Sequence, residues 1–317
     1  MTIKSIVIIL AWIIFQTSCS QKTEQKKSEL KSEQIKVKKD LIPGKDDKVY
    51  QGTVNLITQK DIDEFGKNKY TFINGSMNIC DINSSEFSKE EINLDALKSI
   101  RIINGGLLIT RLENLKSVRG LENLEKVNGD FVISGCGLNT ISTFEKLATI
   151  SGDLVFGNND FNEVKLTEIT GFSNLTEVGS IFISGNSGLQ KLDAFHKIEK
   201  TKTIQIINTS LERVDNFKNL KNVKNFSVEY SSPLKEINLE KLENVSGLFA
   251  LNENTHYNGQ IRMPNIRKIN HLFIIDNNGL ENYCDFSSAI KQNQIDTLSA
   301  SGNKINMTKE EILTKCK

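Results

Sequence analysis

The sequence predicts a mainly β protein wound as a solenoid of about ten rungs, with a short capping helix at each end. Three observations lead there. The phrase from Gly129 to Leu138 holds a glycine, a short strand with Phe131 and Ile133 on one side, a turn, a small residue (Cys136) and a closing apolar residue (Leu138). The phrase returns: Leu154, Phe156, Asn159 and Phe161 take the same four places, as do Ile204, Ile206, Thr209 and Leu211, and again Leu298, Ala300, Asn303 and Ile305. Its spacing is regular. The first inward residues are Met77, Leu107, Phe131, Leu154, Ile181, Ile204, Phe226, Phe249, Leu272 and Leu298, at steps close to 23. A length of 317 residues alone implies two domains, but solenoids grow by adding rungs rather than domains. With ~4.8 Å between strands, ten rungs make a rod about 45 Å long.

Residues 1–18 read as an export signal: Lys4, then ten apolar residues from Ile6 to Phe15, then small residues. The apolar run is too short to span a bilayer, which takes roughly 20 residues, and suits a signal core. Cys19 follows. The arrangement looks like a bacterial lipoprotein signal, in which this cysteine becomes the acylated N-terminus and anchors the protein to a membrane. Gln16 stands where that pattern prefers an aliphatic residue, and the alternative is an ordinary cleaved signal. Residues 19–49 form the acylated terminus and a polar tether, with too little apolar surface to offset ordering. Its start, Ser20 to Glu24, is similar to the signal that sends some lipoproteins to the outer surface of the outer membrane. Residues 50–317 form the folded part.

Thr58-Gln59-Lys60-Asp61, followed by Ile62 and Phe65, reads as an N-capped amphipathic helix, and Thr308-Lys309-Glu310-Glu311 as a capping box opening a second. Helices at the ends cover the apolar surface and unpaired backbone that a strand stack leaves open. Steps longer than 23 place insertions at 86–93, 162–170 and 292–297. A second apolar series, Leu115, Val118, Leu121, Leu124 and Val127, is spaced by three. That suits extended or 3₁₀ segments better than α-helix, so short strands are expected on every side.

The layout Leu121, Leu124, Val127, Gly129, Phe131 and Ile133 resembles the receptor L-domain, a right-handed, leucine-rich-repeat-like β-solenoid of growth-factor-receptor ectodomains that also occurs in bacterial surface lipoproteins. The resemblance runs from about Asn55 to Cys316. It implies a scaffold that binds a protein ligand, an implication at the level of fold alone.

The residues at the turn, Cys136, Asn159, Asn186, Thr209, Ser231, Asn254, Asn277 and Asn303, read as a structural ladder whose side chains bond backbone left free at the bend; sugar or metal contact by these asparagines is the competing reading. In an exported protein Cys284 and Cys316 pair and close the C-terminal cap, a loop worth ~3–4 kcal/mol in the chain-entropy model. Cys80 is left over, and its strand lies too far from Cys136 for a bridge.

Alternation along each strand turns Leu108, Val132, Val155, Phe182, Gln205 and Phe273 outward. An apolar outer column is either β-propensity under cover or a contact face for a protein or glycan; it is the candidate binding face. The three histidines have no metal-type neighbour at ligand spacing, no column of carboxylates runs between rungs, and a body of net charge −3 beyond residue 40 argues against nucleic-acid binding. No metal or other cofactor and no enzymatic activity are expected. The reading is a non-enzymatic cell-envelope lipoprotein acting as a recognition or adhesion scaffold. The alternative is a structural envelope-assembly component with no free ligand, and a third reading is a polysaccharide-acting β-helix enzyme.

Overall fold

The computed structural model describes residues 41–80, 88–160, 165–257 and 259–316. Cys19, residues 1–18, most of 19–49, Phe161 and parts of the insertions at 86–93 and 162–170 lie outside the described residues.

Every rung contributes to one parallel sheet of eleven strands. They are β1 (Val54–Leu56), β2 (Met77–Ile79), β3 (Leu107–Leu112), β4 (Phe131–Cys136), β5 (Leu154–Gly157), β6 (Ser180–Asn186), β7 (Lys200–Thr209), β8 (Asn222–Glu229), β9 (Asn244–Asn252), β10 (Lys268–Ile275) and β11 (Ile295–Ser301). The register is continuous. Val54, Met77, Leu107, Phe131, Leu154, Ile181, Ile204, Phe226, Phe249, Leu272 and Leu298 pair in one row. All of them are buried except Leu298, which packs partly buried against the core at the end of the stack. The coil thus has one strand more than the repeats read from sequence. β1 is three residues long and is cut off by the helix cap at Thr58, too short to show a pattern.

A second parallel sheet of six strands forms the adjoining side, from Val49–Gln51 to Glu177–Val178, and two three-stranded sheets form the third. The first two sides meet at a glycine corner. A Cβ on Gly129 would lie 2.5 Å from the Gly106 nitrogen and 2.6 Å from the Gly105 carbonyl carbon, because successive corners rest directly on one another. From β7 onward the strands run through this corner instead. β7 is ten residues long, and register shifts between Val223 and Phe226 and between Val245 and Leu248 take up the bend.

Inside the coil, Phe144, Phe172, Phe195 and Phe217 stack with ring centroids 5.1, 5.5 and 5.9 Å apart. This spine lies opposite the strand row and fills the width that leucines leave between layers. The N-terminal cap is α1 (Gln59–Gly66), whose Thr58 and Asp61 form a capping box and whose Ile62 is buried. At the other end, α2 (Ser287–Lys291) belongs to the last rung, and α3 (Lys309–Lys315) closes the stack with its own capping box and buried Ile312. The extra residues of the last rung form α2, so the insertion read at 292–297 is displaced: Ile295 to Thr297 already belong to β11. The edge of β11 is blunted by Lys309, whose Nζ donates to the carbonyls of Ile295 and Asp296.

Candidate binding face

The outer surface of the long sheet is built by three outward columns. The middle one is Asn78, Leu108, Val132, Val155, Phe182, Gln205, Ser227, Ala250, Phe273 and Ser299. Leu108, Val132, Val155, Phe182, Gln205 and Phe273 are each half-buried, with neighbouring rungs covering their sides and leaving their tips to solvent. Two residues further along runs Thr110, Ser134, Gly157, Ser184, Ile207, Glu229, Asn252, Ile275 and Ser301. On the other side of the middle column stand Asp130, Asp153, Ser180, Thr203, Asn225, Leu248, His271 and Thr297. No lysine or arginine occupies any of these positions.

Glu229 is the exception to the neutral middle. It faces outward yet is only 4 % exposed. Its flanking partners are Ile207 on β7 and Asn252 on β9. Two small residues, Ser227 and Ala250, pair beside it between Gln205 and Phe273 in the middle column, and both are buried. Burial pushes the Glu229 carboxyl up, and the side chains of Ser227, Asn252 and Gln205, donating toward it, pull the other way. Among the described residues it forms no ion pair. Asn252 Oδ1 is buried without a hydrogen-bond partner. Sequence reasoning missed this site because it followed only the middle column; the same alternation two residues on contains Ile207, Glu229 and Ile275.

The flanks are different. There the charges pair from one rung to the next: Arg119 with Asp95 at 2.8 Å, Arg101 with Glu125 at 2.9 Å, Lys191 with Glu168 at 2.6 Å, Arg213 with Glu236 at 2.7 Å and Lys221 with Glu199 at 2.9 Å. The Arg119 guanidinium holds the Asp95 carboxyl below its usual range, and Lys221 does the same for Glu199. On another flank, asparagine and lysine alternate rung by rung. Lys146, Lys197 and Lys241 donate to Asn123, Asn174 and Asn219 at 2.7, 2.6 and 2.7 Å. The amides of Asn123, Asn174 and Asn219 in turn donate to carbonyls of the rung before, at Lys98, Glu145 and His196.

The turn residues Cys136, Asn159, Asn186, Thr209, Ser231, Asn254, Asn277 and Asn303 are all buried at the bend. Asn277 shows the geometry: its Oδ1 accepts from the Asn254 amide N–H at 3.3 Å, and its Nδ2 donates to the Leu251 carbonyl at 2.7 Å. Each asparagine thus satisfies backbone of the rung before it, and its side chain is unavailable to solvent. A residue with φ between +49° and +67° precedes each of these eight positions, which is what turns the chain sharply into the bend. Burial raises the Cys136 thiol to about 12, and both Cys136 and Cys80 are buried and outside the disulfide. Cys284 and Cys316 are disulfide-bonded, with Cα atoms 5.2 Å apart. Of the histidines, His196 faces Asp193 at 2.7 Å and the Asn216 carbonyl at 3.0 Å. Among the described residues no three His, Cys, Asp or Glu side chains converge as metal ligands. An open recess of about 540 Å³ beside α1, lined by Asp63, Asp95 and Lys116, brings together no nucleophile and base.

A rung register held over the whole stack, a buried asparagine ladder and a flat parallel outer sheet define a β-solenoid of the leucine-rich-repeat type. Within it, residues 101–200, from just before β3 to the start of β7, match the family model described as Receptor L domain. The register continues past the matched stretch to Leu298. No curated protein and no solved structure matches the chain.

Proposed function

We propose that the protein is a non-enzymatic recognition scaffold that contacts a protein partner through the outer face of its long sheet. The observation that carries this is the contrast just described: flanks whose charges are consumed rung to rung, and one face with a half-buried apolar column and no lysine or arginine. A contiguous apolar column on the outer face of a sheet is the kind of surface that marks a contact region. The receptor L domain is a ligand-binding, non-enzymatic domain, which agrees with this use of the fold. The proposal extends to place: acylation at Cys19 would hold the scaffold at a bacterial envelope, with the lysine-rich stretch after it as tether.

Two experiments test the reading. Phe182→Glu combined with Val155→Lys abolishes partner binding while the melting curve stays cooperative; unchanged binding removes the sheet face from consideration. Mass spectrometry of the mature N-terminus finds a diacylglycerol-modified Cys19; an unmodified N-terminus elsewhere refutes the anchoring.

A further inference from the structure

We propose that Glu229 and the small residues beside it on the sheet face anchor a lysine or arginine side chain of the protein partner. The inference rests on the reading of the sheet face as the contact surface and names the chemistry that the face selects.

The three outward columns hold Asp130, Asp153 and Glu229 but no lysine or arginine, so the face is complementary to a cation. Glu229 is the carboxylate in its interior. The strands on either side present only Thr203, Gln205 and Ile207, and Leu248, Ala250 and Asn252, none of them titratable. A buried carboxylate is costly unless a charge is paired with it, and three neutral donors compensate it only in part. The unpartnered Asn252 Oδ1 adds a second acceptor beside it. Side-chain character agrees. Beside the small Ser227 and Ala250 stand the half-buried, apolar Ile207 and Phe273, which suit an aliphatic stem, and lysine and arginine bury such stems while presenting a charged tip. A second copy docked through the same face would bring no lysine or arginine, and a neutral sugar would leave the carboxylate uncompensated. A basic residue between apolar neighbours satisfies both features.

The test selects a randomised displayed-peptide library against the full chain. Peptides whose binding is lost with Phe182→Glu define the face. The inference expects these to carry Lys or Arg between apolar residues. Replacing that residue by norleucine, or Glu229 by Gln in the protein, should weaken them roughly 10-fold to 100-fold, the range for losing a hydrogen bond to a charged group. Ser227→Lys, which puts a competing ammonium beside Glu229, should weaken them as well and guards against misfolding of the Glu229→Gln protein. Face-binding peptides that lack a basic residue, or that bind Glu229→Gln equally well, overturn the inference and leave the face reading standing. A library with no peptide sensitive to Phe182→Glu counts against the face itself, and the inference falls with it. A dimer in sedimentation that dissociates with Phe182→Glu assigns the face to a second copy instead.

Discussion

The flanks and the outer face of the long sheet hang on the same coil, with the same rung-to-rung spacing, yet they spend that spacing differently. On the flanks, stacking brings Glu168 under Lys191 and Glu199 under Lys221, so potential interaction groups are used up internally. On the outer face, stacking brings Val132, Val155 and Phe182 into register, and among the described residues Glu229 has no ion pair. A stacked repeat therefore neutralises a surface when neighbouring rungs alternate in charge, and creates one when they repeat the same apolar side chain. On the proposed reading, the first kind of surface maintains the coil and the second is the one that contacts a partner.

Four sets of substitutions tell the two surfaces apart. The largest effect belongs to what both surfaces share. Phe172, stacked between Phe144 and Phe195, supports flanks and face alike, and Phe172→Ala should cost ~3–5 kcal/mol by urea denaturation; a loss below ~1 kcal/mol would mean that the aromatic spine does not hold the rungs in line. Next comes the face. Phe182→Glu with Val155→Lys should weaken face-directed binding at least roughly 30-fold, the size of a hot-spot loss, whereas Lys146→Glu with Thr176→Lys on the flanks should leave it intact. Equal losses would erase the distinction.

A smaller effect separates the carboxylates by pH. Burial raises the folded-state Glu229 carboxyl above its ordinary 4.5, so the stability it contributes is present below that value and is lost as pH rises through the folded-state value. Glu229→Gln should therefore melt higher than the native protein at neutral pH, with the gap closing as pH falls toward 4.5. A gap that widens toward acid pH would show the carboxylate to be paired. The smallest effect is on the flanks. Lys191→Ala removes an exposed ion pair worth about 0.2–1 kcal/mol, and ~1 M salt should abolish the difference.

Much of this could be read directly from residues. The inward row from Met77 to Leu298 and the turn residues from Cys136 to Asn303 were legible because each place is filled by a narrow set of side chains once per rung. The cap helices announced themselves through Thr58 and Thr308. Other features were not legible for physical reasons. β1 is three residues long and adjoins a helix, so it carries no periodicity of its own. The helix Ser287–Lys291 replaced what spacing alone placed at 292–297, since an insertion shifts the count without stating where the extra residues fold. Glu229 looks like any exposed charge in a strand; its burial follows from the small Ser227 and Ala250 and the neighbouring Gln205 and Asn252, which lie one rung away in space but about 23 residues away in sequence. The alternation of Lys146, Asn174, Lys197 and Asn219 was present in the sequence, yet its meaning depends on the side chains reaching across rungs.

The most direct test of the account places a photo-crosslinking amino acid at Val155 on the sheet face, and separately at Thr176 on the flank, in the full chain produced in its own cells. The account predicts a discrete crosslinked protein from Val155, absent from Thr176 and lost when Phe182→Glu is added. The same product from both positions, or one from Thr176 alone, would contradict it.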